Sequence, residues 1–225
     1  MAKIKLVHFS DVLCIWAHVG QANLSRLAET FGDQIETEIH FCSVFPDTQT
    51  KINTVWKARG GFEGYAAHVH EIAEQFEGFL VHKDVWSKVR PRSSASPHLF
   101  LKSLELLEKN TTNETRPSVC AARELRRAFF EEAQDIANWS VQKSICQSIG
   151  QSFEAVLNKI ETGEAIAKLA ADYELAQTLH VQGSPTYILN AGRQKLFGNV
   201  GYGILEANFK ELLSTDQEEN ATKCS

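Results

Sequence analysis

Hydrophobic and polar positions change period several times along the chain, and each change predicts a different kind of element. From Lys3 to Phe9 lysine alternates with Ile4 and Leu6 before the run becomes continuously apolar, the pattern of a strand entering a core. Val19 to Phe31 then sets Leu24, Leu27, Ala28 and Phe31 at helical spacing, with Gly32 just past the helix end. Ile35 to Val44 returns to period two. Ile35, Thr37, Ile39 and Phe41 share one face and Glu36, Glu38 and His40 the other, until Cys42 and Val44 make both faces apolar. Pro46 and Asp47 close this βαβ opening.

From about Thr48 the period is helical. Phe62, Ala66, Val69, Ala73 and Phe76 mark an amphipathic helix that Gly78 ends, and Ser96 with Pro97 reads as an N-cap and first helical residue leading into Leu101, Leu104 and Leu107. A polar loop, Asn110 to Arg116, precedes a helix opened by Pro117 with Ala122, Leu125 and Phe129 inward. Shorter helices run from Ser140 to Gly150 and from Ser152 to Gly163, and Glu164 to Leu179 is the last of the series. Strand signals return at Thr186 to Leu189 and Gln194 to Phe197, joined by Asn190-Ala191-Gly192-Arg193 as a hairpin. Gly198, Asn199 and Gly201 form a loop, Ile204 to Leu213 a closing helix, and Ser214 to Ser225 a polar tail expected to be disordered. The order is β-α-β, a helical block, then β-β-α.

Composition narrows the function classes. A length of 225 residues, 43% hydrophobic and 23% charged, suits one large soluble domain or a smaller one carrying an insertion. A formal charge of -5 gives no basic footprint, so a nucleic-acid partner is not expected. No apolar run approaches the ~20 residues that span a bilayer. His8, Ser10 and Asp11 interrupt any signal-peptide core, which makes a cytoplasmic, membrane-free protein the expectation. Five cysteines (Cys14, Cys42, Cys120, Cys146 and Cys224) form no close pair and have no metal-ligand spacing. His68 and His70 point to different helix faces beside Glu71, and no metal is expected.

The chemistry concentrates at Ser10 to His18, where a strand gives way to a helix. The unpaired N–H groups of a first helical turn stabilise a thiolate, and can pull a cysteine pKa of roughly 8.5 down by one to several units. Cys14 is therefore the candidate nucleophile, against the plainer reading of a small buried apolar residue. His18, four residues on, is placed to share a proton with it or to line a groove. Trp16 would form an apolar lip beside the sulfur.

Cys14 at the first strand-to-helix turn, Gly183-Ser184-Pro185-Thr186 entering the first late strand and Arg126-Arg127-Ala128-Phe129-Phe130-Glu131-Glu132 in the helical block together resemble the DsbA family. The likeness is to its FrnE-like and kappa-class glutathione transferase branch, which includes the 2-hydroxychromene-2-carboxylate isomerases. It implies an α/β thioredoxin-like fold, residues 1–47 and 164–213, interrupted by an all-helical insertion over 48–163. It also implies a cis Ser184–Pro185 bond whose Ser184 backbone groups pair with an extended peptide or with glutathione. Dithiol members carry a second cysteine where this chain has Ala17, so Cys14 would act as a monothiol unless Cys42 resolves it. By the same resemblance Gly198 and Asn199 would receive the glutamyl end of glutathione, and His98 would face the groove, against a helix-surface position as the plainer expectation. Val200 and Gly201 stand where kappa-class members often have an acidic residue and arginine.

Three functions follow as expectations. They are a monothiol thiol-disulfide oxidoreductase acting through Cys14, a glutathione-dependent transferase or isomerase, and a binding module that has lost turnover. The expected partner is glutathione, a thiol- or disulfide-containing peptide, or a small hydrophobic molecule, and relatives of the kappa class make a homodimer an open prospect.

Overall fold

A computed structural model describes residues 3–108 and 116–223, with side chains as far as residue 214. Four strands form one sheet in the order β2-β1-β3-β4. β1 (Ile4–Ser10) is paired in parallel with β2 (Ile35–Phe41), from Ile4 opposite Ile35 to Ser10 opposite Phe41. β3 (Thr186–Leu189) runs antiparallel to β1, and β4 (Gln194–Phe197) antiparallel to β3. Because side chains alternate across a strand, Ile4 and Leu6 pack on one face with Leu27 and Phe31 of α1 (Ile15–Phe31) and Leu205 and Phe209 of α9 (Tyr202–Lys223). Phe9 and Val7 pack on the other, against Leu175 and Ala176 of α8 (Glu164–Thr178). Helices thus cover both faces of a mixed sheet, as the β-α-β and β-β-α order predicts.

Among the described residues six α-helices lie between β2 and α8: α2 (Thr48–Val55), α3 (Gly61–Ala73), α4 (Ala95–Leu107), α5 (Pro117–Phe130), α6 (Trp139–Ser148) and α7 (Phe153–Glu161). Their core, with Trp86, Phe100, Leu125 and Phe129 fully buried, is continuous with Val12, Leu13 and Cys14. The turn that carries Cys14 is therefore gripped by the helical block as well as by the sheet.

Several boundaries differ from the sequence reading. β2 stops at Phe41 instead of Val44, because the amides of Val44 and Phe45 turn away to the Asp11 carboxylate. α4 begins with Ser94 as its N-cap rather than Ser96, and makes no side-chain cap because the Ser94 hydroxyl donates to Asp11. α1 starts at Ile15, immediately after Cys14, and α2 is a separate element capped by Asp47, whose carboxylate accepts from the amides of Gln49 and Thr50. α9 starts at Tyr202 and continues past Leu213 to Lys223. The loop expected at 110–116 falls outside the described residues except for Arg116, the N-cap of α5, and Cys224 also lies outside them.

The outer edge of β2 is occupied by side chains. The Phe41 amide donates to Asp172 Oδ2 (2.8 Å), the Ile39 carbonyl accepts from Lys102 Nζ (3.3 Å) and the Thr37 carbonyl accepts from Arg116 Nη2 (3.5 Å). Lys102 on α4 and Asp172 on α8, both buried, also pair with each other at 2.7 Å. His40 Nδ1 reaches Asp172 Oδ1 at 2.7 Å. One buried polar network thereby fastens α4 and α8 to the strand.

Candidate active site

The site is built on Asp11. It is completely buried at the end of β1, and a buried carboxylate is tolerated only when its oxygens are satisfied. Oδ1 accepts the Leu13 amide (3.0 Å), and Oδ2 accepts the amides of Val44 and Phe45 (3.0 Å each) and the Ser94 hydroxyl (2.7 Å). One side chain thus holds the turn after β1, the turn after β2 and the start of α4. The Asp11 carbonyl accepts the Cys14 amide, and the Cys14 carbonyl accepts the amides of Ala17 and His18 (3.1 Å each), which makes Cys14 the N-cap of α1.

Ser184 closes the site from the other side. Its hydroxyl accepts the Asp11 amide (2.9 Å), its carbonyl accepts the Cys14 thiol (Sγ to O 3.2 Å), and the Ser184–Pro185 peptide is cis. Ser184→Ala would leave the Asp11 amide unpaired in the interior and is expected to cost about 1–2 kcal/mol of stability, measured by urea unfolding. Gly198, at φ 84°, donates its amide to the Pro185 carbonyl (2.8 Å) and sets Asn199 against α1. A Cβ on Gly20 would stand 3.1 Å from the Tyr187 hydroxyl, 3.6 Å from Asn199 Oδ1 and 3.9 Å from Pro185 Cγ. The absence of a side chain at Gly20 lets α1 close on the proline loop.

Cys14 departs from the sequence expectation of a depressed pKa. Only 7% of its surface is exposed. Burial raises the thiol above its ordinary value, although the Ser184 side chain and the backbone N–H groups of Ala17 and Trp16 oppose it; the negative charge of Asp11 adds to the rise. The helix N-terminus acts as anticipated, but desolvation outweighs it. Cys42 is likewise buried and raised by burial, as a core cysteine beside Phe9 and Ile188.

His18 stacks on Phe130 (ring centroids 4.7 Å) and meets Phe79 edge-on (5.5 Å). No hydrogen bond joins its ring to Cys14, and Nε2 is buried without a partner. Burial, reinforced by the positive charge of Arg126, lowers it to about 4, so it is a neutral packing group near pH 7 rather than a proton-sharing partner. His98 is neither on the groove nor on a helix surface. It is fully buried, stacked on Phe41 at 4.4 Å, and burial lowers it to about 4. Nε2 accepts the Val12 amide (3.3 Å), which leaves Nδ1–H to donate to the Tyr173 hydroxyl (3.3 Å). Its work is to hold the turn before Cys14. Trp16 is half-buried with its ring edge-on to Phe76, and Ala17 is buried in the first turn of α1.

Cys14, Ala17, Ser184 and Pro185 are thus brought together, with Gly198 and Asn199 on the flank. Sequence reasoning missed Asp11, Ser94 and Tyr187; the half-buried Lys51 lies outside this set, its ammonium donating to the Val44 carbonyl (2.5 Å). An acidic residue at the end of an apolar strand was the available signal for Asp11. Asn199 Oδ1 is buried without a hydrogen-bond partner where it faces Gly20 of α1. Among the described residues no cluster of three or more His, Cys, Asp or Glu could hold a metal ion, and no helix is long and apolar enough to cross a membrane. A cavity of about 620 Å³ lies apart from Cys14, between Leu24, Thr37 and Arg123.

Comparison with solved structures gives the same architecture at low identity. A cytosolic disulfide reductase, DsbM from Pseudomonas aeruginosa, superposes with a TM-score of 0.67 at 21% identity, over 95% of this chain and 98% of that one. The same protein solved with GSH gives 0.64 at 19%, over 95% and 99%. A 2-hydroxychromene-2-carboxylate isomerase gives 0.61 at 14%, over 95% and 98%. No curated protein matches the sequence. Residues 98–210, half of the chain, match the model of a DSBA-like thioredoxin domain, and with the cis-proline loop closed over a cysteine at the head of α1 the chain belongs to that family.

Proposed function

We propose that this protein is a thiol-disulfide oxidoreductase of monothiol type, with Cys14 as its nucleophile. The observation that carries the proposal is the 3.2 Å bond from the Cys14 thiol to the carbonyl that precedes Pro185, with Ala17 in place of a second cysteine. At rest the thiol is protonated and shielded, and the Ser184 carbonyl is its acceptor. An extended peptide or glutathione that donates a backbone N–H to that carbonyl, as an added strand does, competes for the acceptor and frees the sulfur. The thiol loses its proton to solvent, and the thiolate attacks one sulfur of a disulfide, forming a mixed disulfide on Cys14 and releasing the other sulfur as a thiolate that takes up a proton. A thiol such as glutathione, attacking the partner's sulfur of the mixed disulfide, would form a disulfide with that partner and release Cys14 as a thiolate that takes up a proton. The glutathione-bound neighbour supports glutathione as the co-substrate.

The burial of Cys14 favours a second reading, a glutathione-dependent transferase or isomerase in which the sulfur of glutathione does the chemistry. One experiment separates the two. Protein incubated with oxidised glutathione is digested, and the Cys14 peptide is examined by mass spectrometry for the adduct, alongside turnover of a glutathionylated peptide by wild type and Cys14→Ser. The expected result is an adduct on Cys14 and loss of turnover by at least ~10²-fold in Cys14→Ser, the scale set by losing a covalent nucleophile. Glutathione binding that survives Cys14→Ser without any adduct on wild type would establish the second reading, and neither adduct nor binding would leave a binding module.

A further inference from the structure

Arg126 is the most buried cation near the site, and the function proposed above does not use it. It lies on α5 with 3% exposure, and its guanidinium donates to the Ser10 hydroxyl (Nη2 to Oγ 3.1 Å) and to the Gln21 side chain (Nη1 to Oε1 3.0 Å). Ser10 is the last residue of β1, four before Cys14. Gln21 is seven residues after it, two helical turns on, and so on the face of α1 that continues from Cys14. The guanidinium therefore straddles the strand-to-helix turn at the level of the sulfur's own face. Both of its hydrogen-bond partners are neutral, Nε is buried without one, and no carboxylate lies within ion-pair distance among the described residues. A desolvated cation held by neutral groups is costly unless an anion forms nearby.

We infer that Arg126 is the positioning residue that supplies the counter-charge for the Cys14 thiolate, so that the helical block furnishes the charge and the thioredoxin-like half furnishes the sulfur. This rests on Cys14 being the nucleophile. Burial lowers the guanidinium to about 10, and Cys14, Asp11 and Tyr187, in their ionised forms, act against that fall. Around Cys14 the other charged and titratable groups are Asp11 on its own turn, Lys51 on α2, Tyr65 on α3, Cys42 after β2 and Tyr187 on β3. Asp11 opposes the thiolate and is already saturated with hydrogen-bond donors. Lys51 is the rival cation, half-buried and bound to a carbonyl. The acid that thiolate formation releases goes to solvent, and no oxidant is needed for this step.

The test is the pH profile of Cys14 alkylation by a neutral reagent in wild type, Arg126→Lys, Arg126→Gln and Lys51→Gln. Arg126→Gln is expected to move the midpoint up by about one pH unit and slow alkylation about tenfold below it. Arg126→Lys should restore most of the rate, and Lys51→Gln should leave the midpoint near that of wild type. A midpoint unmoved in a folded Arg126→Gln, or moved instead by Lys51→Gln, overturns the inference. Should Arg126→Gln not fold, the Lys51→Gln protein is treated with anionic and cationic methanethiosulfonates, and their rate ratio is compared with that of free glutathione. A ratio favouring the anion by about tenfold supports Arg126, and a ratio equal to that of glutathione overturns it. Failure of the nucleophile assignment looks different, since Cys14→Ser would then retain turnover whatever Arg126 does.

Discussion

Lowering the pH from about 7 to about 5 is expected to remove roughly 6 kcal/mol of folding stability, about 2 kcal/mol from each of three histidines. His8, His18 and His98 are buried, and desolvation lowers them from 6.5 to about 3, about 4 and about 4, with the positive charge of Arg126 contributing to each. In the unfolded chain they take up protons near 6.5, whereas inside the fold they stay neutral until pH approaches 4 or below. Their contribution is present in full above pH 6.5 and is lost progressively as pH falls towards the folded values. A domain of this size is stable by only about 5–15 kcal/mol, so the loss would bring it to the edge of unfolding near pH 5. Urea unfolding across this window should show the fall in stability steepening to about 4 kcal/mol per pH unit near pH 5, the slope of three protons taken up on unfolding. His8→Gln should lower that slope by about a third. A wild-type slope of one proton or fewer would mean that water or a partner group reaches these rings.

Asp172→Ala is expected to cost about 3–5 kcal/mol, because it removes the buried carboxylate that pairs with the Lys102 ammonium, 1% exposed, leaving it the Ile39 carbonyl and the more exposed Glu105, and also frees the Phe41 amide. Lys102→Met combined with Asp172→Leu should recover most of the loss, since no buried charge is then left unpaired. Thermal and urea unfolding of the single and double variants reads both effects. A double variant as unstable as Asp172→Ala would assign the loss to the Phe41 and His40 hydrogen bonds rather than to the ion pair. Burial by itself would raise the Asp172 carboxyl, but the His40 hydrogen bond and the charge of Lys102 hold it below the usual carboxylate range. The stability it brings is present above about pH 4 and lost below, outside the histidine window.

The periodicities that set the fold were plain in the sequence because strands and helices bury one face each. The alternation of Lys3 to Phe9 and of Ile35 to Phe41, the Pro117 helix start and the Ser152 cap, whose hydroxyl accepts the Ala155 amide, all stand where the pattern puts them. Contacts between distant segments were not legible. The sequence places the start of α4 at Ser96 because nothing local shows that the Ser94 hydroxyl serves Asp11, 83 positions away. The Cys14 pKa was misjudged for the same reason. A helix start is local and visible in sequence, whereas the burial of the sulfur comes from the helical block and the Ser184 loop closing over it. His98 shows the limit most clearly, since a histidine between Pro97 and Leu99 gives no hint that its partners are the Val12 amide, Tyr173 and Phe41.

The side chains along β2 also decide how the sheet can grow. An approaching strand would need the Phe41 amide and the carbonyls of Ile39 and Thr37, which Asp172, Lys102 and Arg116 already occupy. Displacing them would expose a buried charge before the first ladder bond formed. Edge-to-edge polymerisation at this strand is therefore blocked by ion-pair chemistry rather than by a bulge or a proline, and the same contacts that dock two helices keep the molecule from templating fibrils there.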